Sequence, residues 1–323
     1  MQALGVVVVI QVVGQLQAGC FQVREAGSAG QQLGFERTPT ARGQGVVVGI
    51  ARPAQAGHCQ EVAQLLAEGR ARVLTAPVGG HQPAPAPPAF YGLAFFEAYF
   101  SNFIEGTVFK VDEAHTMVLG RAPVPGRYAD SHDVLSTYQL VSNPTGMQAV
   151  PAPAAEFLTL LQRRHATLLR ERPDQRPGQW KKRANQAGNT SFVGPELMRG
   201  TLHQGFACYQ ALAHPLARAA MLLFVVSEVH PFDDGNGRLA RIMASAELVR
   251  GGLSRLLITT SYRHDYLRAL RRLSRHRDPG LYLRMLDRAQ AFTADLQPDS
   301  YSCLKTQLAA AQAFEEANEE LSW

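Results

Sequence analysis

Cysteine, long apolar runs and an excess of one charge sign are all scarce in this sequence, and each scarcity closes off a class of protein. Four cysteines, Cys20, Cys59, Cys208 and Cys303, lie far apart with no C-x-x-C pair among them. That spacing suggests neither a zinc site nor a disulfide framework, and a reducing compartment is the default. The one apolar run near the start, MQALGVVVVIQVVGQLQAGC, is broken by Gln11, Gly14 and Gln15, well short of the ~20 residues a membrane span requires. It lacks the basic segment of a secretory signal, and Gln17 stands where a lipoprotein site before Cys20 wants an aliphatic residue. A cytoplasmic protein without a membrane association is therefore expected. Charge is nearly balanced, with 32 Lys+Arg against 27 Asp+Glu for a net of +5; this suits an anionic ligand but does not call for nucleic acid.

What remains is an ordinary globular composition, 46% hydrophobic over 323 residues, long enough for about two units at ~150 residues per domain. Residues 1–86 show almost no hydrophobic periodicity and read as an N-terminal extension without assigned structure, save short strands at 6–10 and 45–50 and a helix at 58–68. The segment HQPAPAPPA, 81–89, is stiff and extended, a natural boundary. From Phe90 the pattern is helical: 90–105, 130–141, 153–172, 195–212, 215–229, 238–250, 262–275 and 279–296, with Pro153, Pro195, Pro215 and Pro279 at starts and Gly251 and Gly252 at an end. WKKRANQAGNTSFVGP, 180–195, suggests one hairpin, and residues 299–323 a C-terminal helix whose EEANEE run is a solvated acidic face. The fold class is mainly α, a helical bundle with a small β-hairpin flap.

The chemistry concentrates in HPFDDGNGR, residues 230–238. It follows PLARAAMLLFVVSEV, apolar around most of its circumference and so a buried central helix, and it precedes a second helix. Gly235, Asn236 and Gly237 then lie at a helix N-terminus, where free N–H groups and the dipole favour an anion. Arg238 and Arg241, three apart, share a face and reach the same polyphosphate. Asp234 can hold a divalent metal with phosphate oxygens, Phe232 anchors the loop, and His230 is the candidate general base. Singly, each feature is more often a turn or a structural histidine; one phosphate site explains them together.

HPFDDGNGRLAR, 230–241, resembles the signature of Fic-domain proteins, His-Pro-Phe-x-Asp/Glu-Gly-Asn-Gly-Arg-x-x-Arg, at every defined position. The resemblance implies a Fic fold that binds ATP with Mg2+ and transfers AMP to a Ser, Thr or Tyr hydroxyl of a protein target. It gives His230 the role of base, Asp234 the metal, Gly235, Asn236 and Gly237 the α-phosphate, and Arg238 and Arg241 the leaving pyrophosphate.

A second stretch, SNFIEGT at 101–107, closes the helix from Phe90. Tyr91, Phe95, Tyr99 and Phe103 form an aromatic stripe, with Glu97, Ser101 and Glu105 roughly opposite. Glu105, just before the C-cap Gly106, meets the negative end of the helix dipole, which a cationic partner would offset. From helix physics alone a solvated glutamate is the simpler reading. Ser101, Glu105 and Gly106 also resemble the inhibitory-helix motif of Fic proteins, which implies that Glu105 pairs with Arg241 where the ATP γ-phosphate must go.

The resemblance implies further that the hairpin docks a target strand along Thr190, Ser191, Phe192 and Val193; Trp180 to Arg183 read alternatively as a solvated basic run, and SYRHD, 261–265, as surface helix. It covers about Phe90 to Leu296, dividing the chain into an extension at 1–86, a Fic domain at 87–298 with an inhibitory helix near 90–106 and a catalytic core near 155–296, and the C-terminal helix. Self-modification and a homodimer fit this reading. Two alternatives stay open: an enzyme removing AMP, with Glu105 orienting water, or a nucleotide-sensing regulator or toxin-like interaction module.

Overall fold

The computed structural model describes residues 87–188 and 190–316, so the strands and helix expected before residue 87 lie outside the described residues, as does the acidic run beyond Glu316. Eleven α-helices follow in order: α1 Pro87–Ile104, α2 Val111–Gly120, α3 Tyr128–Val141, α4 Pro144–Gln148, α5 Ala154–Leu168, α6 Pro195–Gln210, α7 Pro215–Val229, α8 Asn236–Arg250, α9 Arg263–His276, α10 Gly280–Asp295 and α11 Tyr301–Ala310. One hairpin of two-residue strands, β1 Gln186–Ala187 and β2 Thr190–Ser191, lies between α5 and α6.

The apolar run of α7 makes it the axis of the bundle. Leu222, Leu223, Phe224, Val225 and Val226 are all essentially inaccessible, each such side chain contributing about 1.5–3 kcal/mol relative to exposure. α6 and α8 pack on it directly, and Pro215 starts it, at a position where the N–H that proline lacks would have no intrahelical partner.

α1 separates two apolar clusters. Phe90, Ala94, Ala98 and Ile104 face the core built on α7, while Leu93, Phe95, Phe96 and Phe100 meet Met117 and Val118 of α2 and Leu304 and Leu308 of α11. The expected aromatic stripe is thus only half of the buried surface: Tyr91 is 44% exposed, whereas Phe96 and Phe100, outside the stripe, are the fully buried rings. Within this sandwich Glu97 is buried as well, paired at 2.7 Å with buried Arg255. α1 is therefore a wall of the domain, fixed in register by a buried ion pair.

Several expected boundaries shift. α5 stops at Leu168 instead of Arg172, the chain turning through a 3-10 segment at Pro173–Gln175. α2 was not expected, although Ala114, Met117 and Val118 give it a buried stripe at helical spacing. α11 ends at Ala310, before the acidic run, and Gln312 takes a left-handed φ of 53°.

Candidate active site

The motif loop, 230–235, joins α7 to α8 and is braced from beneath. Phe232 is fully buried, its ring between His165 of α5 at 3.8 Å and Trp180 at 4.9 Å, both stacked. Asn236 closes the loop on itself: its Oδ1 accepts from the Phe232 N–H and its Nδ2 donates to the Phe232 carbonyl, each at 2.9 Å. That side chain is consumed inside the loop, so an anion can take from Asn236 only its backbone N–H. His165, fully buried, accepts from the Gly178 N–H at Nδ1 and donates from Nε2 to the Asp234 carbonyl. Burial pushes its pKa down to about 4, so it stays neutral and holds one tautomer. Sequence reading missed His165, 65 residues upstream of His230, because nothing in its local pattern marks it.

The approach to the hairpin also braces the loop. The Lys181 ammonium, its pKa lowered to about 8 by burial, donates to the Val229 carbonyl at 2.9 Å and to Asn185 at 2.8 Å. Asn185 in turn donates to the Phe232 carbonyl at 2.9 Å and the His230 carbonyl at 3.3 Å. Trp180 and Lys181 are thus structural, which corrects their reading as a solvated run; Lys182 and Arg183 are exposed as that reading expects. Asp265 of the SYRHD stretch is likewise buried, at 2% exposure, where surface helix was expected.

These braces hold His230 in a left-handed conformation, φ 45° and ψ 64°, uncommon for a residue with a Cβ. Its Nδ1 lies 2.5 Å from the Ser227 carbonyl, which can only accept, so Nδ1 carries the hydrogen and Nε2 keeps its lone pair. Phe192 of the hairpin stacks on the ring at 3.4 Å and 5°. Burial lowers the His230 pKa to about 4, leaving the imidazole neutral at ordinary pH.

The Glu105 carboxylate lies over the first turn of α8, so close to Gly237 that a Cβ built there would overlap Oε1 and push the carboxylate aside. The first N–H groups of a helix have no intrahelical partner. Glu105 Oε1 accepts from Arg241 Nη2 at 2.6 Å, while Arg241 also donates to Ser101 Oγ at 2.9 Å and the Ser101 carbonyl at 2.8 Å. Desolvation would raise the Glu105 pKa; the Arg241 guanidinium, aided by Arg238 and His230, more than offsets it and holds the carboxyl below its usual range. The side chain keeps 36% of its surface accessible, so it sits at an opening. Gly106 follows at φ 93°, ending α1 in a left-handed turn.

Arg238, 3% exposed, bonds to Asp133 Oδ1 of α3 at 3.0 Å, with Asn102 Oδ1 at 3.4 Å and Asp234 at 3.6 Å. Asp133 is itself clamped by Arg172 through two bonds, 2.9 and 2.5 Å. Burial would raise the Asp133 pKa; the two guanidiniums outweigh it and hold the pKa at about 2, His132 at 4.0 Å being too distant for a hydrogen bond. Asp234 keeps a half-accessible side chain, while Asp233 is taken by Arg176 at 2.6 Å. Among the described residues no group of three or more His, Cys, Asp or Glu could enclose a metal; a cation here would need Asp234 together with oxygens of a ligand and water, a donor set of the kind magnesium takes.

The hairpin contributes unevenly. Thr190 and Ser191 form β2, and Phe192 covers His230, but Val193 is buried at 1% in the main core. Val193 anchors the hairpin and offers no docking edge. No helix among the described residues is long and apolar enough to cross a membrane.

Residues 155–248, which hold α5 to α8 and the braced loop, match the Fic/DOC family. A protein adenylyltransferase Fic of Nematostella vectensis is 27% identical over 248 residues, 73% of this chain and 55% of its own, and one of Aedes aegypti is 25% identical over 52% and 34%. The chain thus spans about half or less of the curated relatives it matches. In fold it is similar to Fic-1 from C. elegans, TM-score 0.54 at 16% identity over 80% of this chain and 74% of that one. It is similar also to a Fic-domain signalling protein from Bacteroides thetaiotaomicron, TM-score 0.56 at 17% identity over 83% of this chain and all of that one. The motif segment thus matches the Fic/DOC family, and the architecture is similar to that of solved Fic proteins.

Proposed function

We propose that the chain is a protein adenylyltransferase that moves AMP from ATP to a hydroxyl of a protein, and that Glu105 restrains it. The observation that carries this reading is a carboxylate held by Arg241 over the first turn of α8, in the same site as a neutral imidazole with a free Nε2. A pocket that stabilises one oxyanion there is built for another.

In this reading the amides of Gly235, Asn236 and Gly237 hold the α-phosphate and Arg241, with Arg238 behind it, faces the outer phosphates. His230 Nε2 takes the proton of the target hydroxyl as its oxygen bonds to the α-phosphorus. The bond from that phosphorus to the bridging oxygen breaks, and pyrophosphate leaves with the electron pair. A positioned base contributes roughly 10²- to 10⁴-fold. Magnesium, held by Asp234 and phosphate oxygens, supplies charge neutralisation when bound. β2 presents the target segment, and Phe192 must leave the imidazole for the hydroxyl to arrive. Glu105 occupies the place of the terminal phosphate, so ATP binds unproductively until it moves. Because α1 is packed on both faces, release comes from the Glu105 side chain and the last turn, with the helix staying in place.

Intact-mass analysis tests this. Glu105→Gly incubated with ATP and magnesium should gain AMP adducts on itself or on added protein, and the Glu105→Gly/His230→Ala chain should gain none. Equal labelling of parent and Glu105→Gly would remove the restraint; labelling that survives His230→Ala would remove the base.

A further inference from the structure

α9 carries a charge imbalance that the transfer chemistry does not use. Residues 263–277 hold six arginines against one aspartate, a formal +5 that equals the net charge of the entire chain. The aspartate, Asp265, is buried at 2% and faces inward, so it balances none of the outer charge. Arg268, Arg271, Arg272 and Arg275 fall at spacings of three, four and seven and share one face. Like charges at such spacing repel and cost the helix stability. A face that serves only solubility carries both signs interspersed.

The location gives the imbalance a direction. At its start, Arg263 Nε donates to the Ile104 carbonyl at the end of α1, and the Arg241 guanidinium lies 5.8 Å from the Tyr266 ring. At its far end, Arg275 Nη2 donates to Thr190 Oγ1 of β2 at 2.7 Å. The helix of 14 residues therefore runs roughly 21 Å alongside the site, from the Glu105 contact to the hairpin. Near the same end Arg272 pairs with Asp278 at 2.6 Å. A segment lying on β2 passes beside Arg275, one helical turn from Arg271.

We propose that this arginine face is a docking surface for an acidic segment, rich in Asp and Glu, of the protein substrate. The inference rests on the AMP-transfer reading of the site and names the class of target. Guanidiniums on a rigid helix pair with carboxylates in two-point fashion, and a single-sign surface beside the catalytic opening raises the encounter rate with an acidic partner.

The test uses the full Glu105→Gly chain and fluorescent peptides long enough to lie along α9, each with one central serine flanked by Asp/Glu, by Asn/Gln or by Lys, plus a single-stranded oligonucleotide. Anisotropy should show the acidic peptide binding at least about tenfold more tightly than the neutral one at low salt, the difference shrinking at roughly 0.3 M salt. Arg271→Glu/Arg275→Glu should abolish the preference, and Arg271→Glu alone, away from the Thr190 contact, should weaken it severalfold, with circular dichroism and ATP affinity as controls for folding. Equal binding of acidic and neutral peptides, or a preference that survives charge reversal, overturns the proposal. So does tighter binding of the oligonucleotide than of the acidic peptide, which would mark a nucleic-acid surface. AMP transfer to the bound peptide separates the two readings: selective binding with no labelling of any peptide sinks the transferase and leaves the docking face, while labelling without selectivity does the reverse.

Discussion

Arg238 and Arg241 stand one turn apart on α8, each met by a carboxylate from outside the motif, but the two contacts are built for opposite purposes. Asp133 is 4% exposed at its side chain, shares Arg238 with a two-point Arg172 clamp and has its pKa held near 2. Glu105 makes a single 2.6 Å contact, stays 36% accessible and sits where the helix dipole opposes it. A carboxylate with several buried partners is a permanent tie. One with a single partner at an opening can be displaced by a competing anion.

The largest effect should come from breaking the tie. Asp133→Ala leaves the buried Arg238 without its partner, and such a loss costs about 3–5 kcal/mol, visible as a fall in denaturation midpoint; Glu105→Ala should cost far less. An Asp133→Ala chain as stable as the parent would erase the distinction.

Next is release of the latch. Glu105→Gly should raise AMP transfer about ten- to a hundredfold, one or two steps of ~1.4 kcal/mol each, as read from the initial rate of labelling with ATP.

The imidazole of His230 responds to its cover. Burial lowers the His230 pKa to about 4, so the neutral form persists as pH falls from 6.5 until about 4. An NMR titration should find it there, and Phe192→Ala, which uncovers the ring, should raise the value by a unit or more, about 1.4 kcal/mol. The sign extends to stability: between pH 6.5 and about 4 the unfolded chain takes protons that His165 and His230 refuse, so stability falls with pH across that window.

The smallest effect concerns Asn102. Its 3.4 Å contact with Arg238 is long, and its Nδ2 serves Thr137 and the Ala98 carbonyl. Asn102→Ala should cost about 1 kcal/mol in denaturant and leave labelling of the Glu105→Gly chain unchanged. A large loss of labelling would place Asn102 with Asp133 in fixing Arg238.

What was legible in the sequence follows from locality. Pro195 and Pro215 mark the starts of α6 and α7 where proline's missing N–H is harmless, and the loop from His230 to Arg241 declares itself because its chemistry is contiguous. Asp133, His165 and Lys181 are brought to that loop by tertiary folding, and no local spacing announces them. Asn236 shows the converse: its position was evident, while the use of its side chain to close the loop needed coordinates. The charge of α9 was diluted in a chain-wide total, and only its concentration beside β2 gives it meaning.

The central claim is that Glu105 holds the place of a terminal phosphate at Arg241, and the affinities of ATP and ADP in the presence of magnesium test it most directly. The parent should bind the two alike, because the γ-phosphate finds its seat taken, and Glu105→Gly should favour ATP by about tenfold or more, ~1.4 kcal/mol. The same ATP-to-ADP ratio in both chains would contradict the account.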